Sequence, residues 1–142
     1  MASVVDVAQY VLKKLGSIPA MKLQKLVYYS QAWSLVWDER PLFNNRIEAW
    51  ANGPVAPDLY ERHRGEYRVN DVGGEAECID SLGEETIDTV LSYYGEKSSQ
   101  WLSDLTHMEA PWRDARSGLA PGVASNVVIT HAAMAEYYGS LT

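Results

Sequence analysis

Apolar positions along the chain recur with helical spacing in most segments, and the polar residues between them supply the stops. Ser3 and Asp6 form a capping-box pattern ahead of Val4, Ala8, Val11, Leu12 and Leu15, which fall on one helical face. Gly16 and Pro19 end that helix. Met21 to Trp37 is the longest periodic stretch and contains no Gly or Pro. Leu23, Leu26, Val27, Ser30, Ser34 and Trp37 share one face, the serines leaving room for a close neighbour, while Tyr28 and Leu35 lie on another. A helix that is apolar on more than one side belongs at the centre of its domain. Lys22, Lys25, Tyr29 and Trp33 form a separate stripe along the same helix.

A turn at Asp38–Pro41 leads to a compact stretch from Ile47 to Tyr60 built around Asn52-Gly53-Pro54-Val55-Ala56-Pro57. The Gly-Pro step gives a sharp reversal, and Pro54 or Pro57 suits the first turn of a helix running to about Arg64. Residues 65–80 carry turn signals at Asn70-Asp71 and Gly73-Gly74, with a short β element that includes Ala76 to Ile79. Ser81 and Glu84 read as a capping box for a helix carrying Ile87, Val90, Leu91 and Tyr94, with Gly95 as its stop. Ser98 caps a helix with Trp101, Leu102 and Leu105, and Thr130 caps a last one with Met134, Tyr137 and Tyr138. Pro111 to Arg116 makes one turn, and Ser117 to Asn126 a loop. The expectation is a mainly α, single compact helical domain spanning 1–142 around a central helix.

Composition agrees with that reading. The 142 residues include 46% hydrophobic and 22% charged side chains, close to a globular average. One cysteine, Cys78, leaves no intramolecular disulfide framework and no multi-cysteine metal site. No apolar run reaches the ~18 residues of a membrane span, and the start lacks a signal-peptide pattern. These features lead us to expect a cytoplasmic protein with no membrane role.

Charge is uneven. The formal net charge is −7, and residues 73–142 hold 3 basic against 11 acidic side chains, whereas residues 1–72 hold 9 against 8. The acidic half disfavours direct nucleic-acid binding and favours encounter with a basic protein surface; acid also simply keeps a small protein dispersed.

Catalytic signals are sparse. His63, His107 and His131 do not form an H-E-x-x-H pair. His107-Met108-Glu109 matches half of a zinc-deaminase signature whose cysteine half is missing. Phosphate-loop, dinucleotide and nucleophile-elbow motifs do not occur. No catalytic residue, metal or cofactor is therefore expected, and Cys78 reads as a small buried or incidental thiol. The aromatic content is unusual: five Trp and nine Tyr against one Phe, side chains over-represented at the energetic centres of interfaces. Trp37 and Trp101 fit core faces. Trp33, on the stripe with Lys22, Lys25 and Tyr29, is a candidate for partner contact. Trp112, beside Arg113, could close the core or be displayed on a loop.

Three segments together resemble the SocA-like antitoxin family, also called the Panacea domain and related to phage GepA-type proteins. They are Met21-Lys22-Leu23-Gln24-Lys25-Leu26-Val27-Tyr28-Tyr29-Ser30-Gln31-Ala32-Trp33; Ile47-Glu48-Ala49-Trp50 through Gly53-Pro54-Val55 to Pro57 and Tyr60; and Leu105-Thr106-His107 with Pro111-Trp112. The resemblance implies a helical antitoxin of a type II-like toxin–antitoxin system, of the kind linked to phage defence. It would bind a cognate, translation-inhibiting toxin directly, or alternatively act as an adaptor delivering the toxin to a ClpXP-type protease. Lys22, Lys25, Tyr29, Trp33, Trp112 and Arg113 are the candidate partner-binding residues. The matching residues Gly53, Pro54, Val55, Pro57, Tyr60, His107 and Pro111 read as structural. A third reading, an enzyme using His107 and Glu109, rests only on their proximity in sequence.

Overall fold

The computed structural model describes residues 1–120 and 122–142; Pro121, inside the loop expected over Ser117–Asn126, lies outside them. Among the described residues the chain forms seven helices and two small antiparallel sheets, with one hydrophobic cluster running through them. Helix α1 (Val4–Leu15) starts with the reciprocal cap that its sequence signals: the Asp6 N–H donates to Ser3 Oγ at 3.2 Å and the Ser3 N–H to Asp6 Oδ2 at 2.9 Å. It ends at Gly16, whose φ of 76° suits a residue without Cβ.

Helix α2 (Ala20–Trp37) lies at the centre, packed by α1, by α4 (Ser81–Tyr94), by α5 (Ser99–Met108) and by α7 (His131–Gly139). Twelve of its eighteen residues are buried, including Gln24, Lys25, Ser30, Gln31 and Ser34. Buried polar groups need partners, and here they take them from the backbone of the connecting segments. Gln31 Oε1 accepts from the Leu42 N–H at 2.7 Å while its Nε2 donates to the Phe43 carbonyl at 2.8 Å. Gln24 does the same to both backbone groups of Ala56, and Ser34 Oγ donates to the Arg40 carbonyl. Segments without regular structure are thereby fixed to the central helix.

The sharp reversal after Ile47 is a hairpin of β2 (Glu48–Trp50) and β3 (Gly53–Val55), flanked by residues 127–129 through Ala49 N–H to Val127 carbonyl and Ile129 N–H to Ile47 carbonyl. Pro57 opens α3 (Pro57–His63). The β element expected near 65–80 is β4 (Arg68–Val69), paired with β1 (Ile18–Pro19). Ala76 to Ile79 is not a strand, which corrects the expectation; Ala76–Cys78 is one 3₁₀ turn. The Cys78 and Ile79 N–H groups donate locally to the Glu75 and Ala76 carbonyls, and side chains of α1 hold the residues just before: Gln9 Oε1 accepts from Val72, and Asp6 Oδ1 from Glu75.

Further corrections concern caps and tryptophans. Asp80, not Ser81, caps α4; its Oδ1 accepts from the Gly83 N–H at 2.8 Å, and both carboxylate oxygens pair with Arg40. The Arg40 guanidinium and the Gly83 N–H hold that carboxyl down at about 2. Trp37 and Trp101 are not core residues but 42% and 44% exposed. Trp37 is the last residue of α2, and Trp101 lies in the first turn of α5, whose core position goes to Leu102. Helix α6 (Ala110–Ala115) is the turn expected from Pro111 onward.

Gln31→Leu keeps the helix and its volume but strands the Leu42 N–H and the Phe43 carbonyl. We expect a loss of about 2–4 kcal/mol in urea unfolding; an unchanged midpoint would contradict the anchoring role of Gln31.

Candidate functional site

Two features stand out where α2 meets its neighbours. The first starts at a buried carboxylate. Glu109, between α5 and α6, accepts from Tyr29 Oη at 2.6 Å and from Tyr138 Oη at 2.8 Å, and Tyr138 exchanges a hydrogen bond with Tyr28 at 2.9 Å. Burial pushes the Glu109 carboxyl up, while the two tyrosine hydroxyls pull it back down. Burial also raises all three tyrosines. Tyr94 stacks on Tyr29 with centroids 4.3 Å apart, Trp33 Nε1 donates to Tyr94 Oη at 3.2 Å, and Trp33 stacks on Trp37 at 5.0 Å. A continuous aromatic column thus runs from the buried carboxylate to the surface, where Trp37 is exposed and Tyr93, beside Tyr94, is 71% exposed.

The second feature is a cleft of about 620 Å³ between the start of α2, the loop after α3 and the start of α5. Lys25 is 1% exposed and forms part of its lining. Its Nζ has no hydrogen-bond partner among the described residues, and the same is true of Ser99 Oγ and His107 Nε2, which also belong to the cleft. Gly53 makes this arrangement possible. Its φ is +124°, and a Cβ there would lie 2.6 Å from Lys25 Cε and 3.2 Å from Thr106 Oγ1. Any larger residue would collide with the lysine. Burial lowers Lys25 to about 8. It also lowers His107, which the nearby Lys25 ammonium depresses further, and His63.

The stripe read from sequence divides between these features. Lys25 and Tyr29 are 1% and 0% exposed because α2 is covered on nearly every side, so neither stands on the outer surface as the stripe suggested; Lys25 reaches only the cleft. Lys22 and Trp33 are half-buried and Arg113 is exposed. Trp112 closes the core: it is 7% exposed, donates from Nε1 to the Trp50 carbonyl at 2.8 Å, and stacks on His107 at 4.1 Å. Gly53, Pro54 and Val55 form β3, Pro57 starts α3, Pro111 is buried at the start of α6, and Tyr60 packs edge-on against Trp50 at 4.9 Å while lining the cleft.

His107 and Glu109 face different surroundings, the cleft and the tyrosine cluster, so they form no acid–base pair with each other. Cys78 is exposed rather than buried, and the Glu75 carboxylate 3.4 Å away pushes its thiol up. Among the described residues no group of three or more His, Cys, Asp or Glu could hold a metal, and no helix is long and apolar enough to cross a membrane. Sequence reasoning missed Ser99, His63 and Asn52 in the cleft and Tyr93 at the surface. Nothing in their spacing marks them, because they come from separate elements.

Residues 23–113, well over half of the chain, match the profile of the family described as "Antitoxin SocA-like, Panacea domain". No curated protein and no solved structure matches the chain.

The depressed basicity of Lys25 has a thermodynamic consequence. A lysine of lower folded-state pKa adds nothing unfavourable above its unfolded value near 10.5, and stability is lost as pH falls from there to about 8. Lys25→Met removes that dependence. The variant should gain on the parent as pH drops from about 10.5 to 8 and hold a constant advantage below, roughly 3 kcal/mol. Parallel unfolding curves for the two proteins across that range would show that Lys25 is not desolvated.

Proposed function

The chain belongs to the SocA-like antitoxin family with a Panacea domain, and from that premise we propose that it neutralises a cognate toxin by direct protein contact. The family match carries the reading, and two physical features support it. The aromatic column reaches the surface at two points, the exposed Trp37 stacked on the half-buried Trp33 and the exposed Tyr93 beside Tyr94. Such groups bury much area at small entropic cost and dominate interface energetics. The acidic second half of the chain complements a basic surface of the sort that RNA- or ribosome-directed toxins carry, which speeds encounter.

In this reading Trp37, Trp33 and Tyr93 form the contact, with Arg113 as a polar contributor. Tyr29, Glu109 and Tyr138 act from beneath by holding Trp33 and Tyr94 in fixed orientations, so that little conformational entropy is lost on binding. The toxin inhibits translation, and the antitoxin works stoichiometrically without chemistry of its own.

Co-expression with the product of the adjacent reading frame should restore growth and yield a co-purifying complex. Trp37→Ala and Tyr93→Ala, both surface changes, should each weaken that complex about 30-fold in calorimetry, the loss of about 2 kcal/mol that defines a hot spot. Toxicity that persists at full antitoxin expression would reject neutralisation. Toxin that disappears during protection, but accumulates in bound form when a ClpXP-type protease is deleted, would replace it with the adaptor role.

A further inference from the structure

The cleft that holds Lys25 continues into a second one of about 570 Å³; Pro19, Tyr67, Ser99 and Gln100 line both. Lys22, Arg68 and Lys97 line the second. None of these three, nor Lys25, forms an ion pair with a carboxylate among the described residues, in a chain whose net charge is −7. Arg68 is held by the Ser17 carbonyl, and Lys97 lies 4.7 Å from the centroid of the Trp101 ring. Two carboxylates, Glu66 and Glu96, also line the joined clefts, so four cations face two anions.

Backbone dipoles add to this charge. The N-termini of α2 and α5 both open onto the cleft, through Ala20 and Met21 in one case and Ser99 and Gln100 in the other. Helix N-termini carry unsatisfied N–H groups and a partial positive charge, usually answered by an acidic side chain in the first turn. Neither α2 nor α5 has one. Beneath them lie the buried and unpartnered Lys25 Nζ, Ser99 Oγ and His107 Nε2. Burying an ammonium with no acceptor is costly, and the cost falls when an anion accepts from it.

We propose that the joined clefts bind a small molecule bearing a phosphate or pyrophosphate group, with Lys25, Ser99 and His107 below the anion and Lys22, Arg68 and Lys97 along its outer side. Several cations spread over two connected spaces match an extended polyanion better than a single carboxylate, which one of them would satisfy. Helix N-termini are the commonest backbone solution for phosphate, and the cleft volume falls within the range of small-molecule sites. Trp33, Trp37, Tyr93 and Tyr94, the aromatic residues assigned to the toxin, are not among the residues lining these clefts, and the inference does not rest on the antitoxin reading.

The test is NMR titration of the isotope-labelled protein with inorganic pyrophosphate, with ADP and with adenosine. Pyrophosphate and ADP should shift amides of Ala20 to Lys22 and Ser98 to Gln100, and adenosine should not. Lys25→Met should weaken ADP binding about 30-fold or more, Ser99→Ala more mildly, and Lys97→Ala about fivefold or less. Lys13→Ala, on the exposed face of α1, should change nothing. Absence of shifts at millimolar pyrophosphate and ADP, or binding that Lys25→Met and Ser99→Ala leave intact, would overturn the proposal. So would cleft shifts produced by the toxin but by neither phosphate probe, because the cleft would then be a protein contact.

Discussion

Helix α2 is buried along almost its whole length, and that constraint organises the rest of the chain. A helix exposed to solvent can place polar residues anywhere; one enclosed on every side must provide a partner for each. Gln24, Gln31 and Ser34 meet this demand by binding backbone groups of Ala56, Leu42, Phe43 and Arg40, so irregular connections become as fixed as regular elements. Tyr28 and Tyr29 meet it through Tyr138 and Glu109. Lys25 alone among these buried side chains meets no acceptor, and Gly53 makes space for it.

Covering α2 also determines what remains outside. Because Leu23, Leu26, Val27 and Tyr29 are consumed by packing, the aromatic column along α2 reaches the surface through Trp37, stacked on Trp33, and through Tyr93, beside Tyr94. The column beneath them leads back to a carboxylate held by two hydroxyls. Such a network, fully satisfied, stiffens what lies above it. A rigid aromatic surface at one end of α2 and a positive cleft at the other are thus two results of the same burial, and they suit different kinds of ligand.

Much of this was readable from residues alone. The central helix followed from its two apolar faces, and the caps at Ser3, Ser98 and Thr130 from short polar residues ahead of periodic runs. Other features were not readable for physical reasons. Asp80 and Ser81 are both good caps, and the choice depended on Arg40, forty residues away. The Ala76–Cys78 segment satisfies its own N–H groups by local bonds to the Glu75 and Ala76 carbonyls, which the residue types alone do not announce. The stripe of Lys22, Lys25, Tyr29 and Trp33 was visible as a stripe, but periodicity reports which residues share a face and not what covers it. Burial by α4, α5 and α7 withdrew two of the four from the surface, and the unpartnered atoms of Ser99 and His107 became neighbours of the same cleft only through folding.

Hydrogen–deuterium exchange of the protein, alone and with the product of the adjacent gene, tests the central claim most directly. An account based on a rigid scaffold that binds through one aromatic face predicts added protection confined to the C-terminal turns of α2 and α4, with the interior of α2 equally slow in both states. Protection that spares those turns, or an interior of α2 that exchanges freely until the partner arrives, would contradict it.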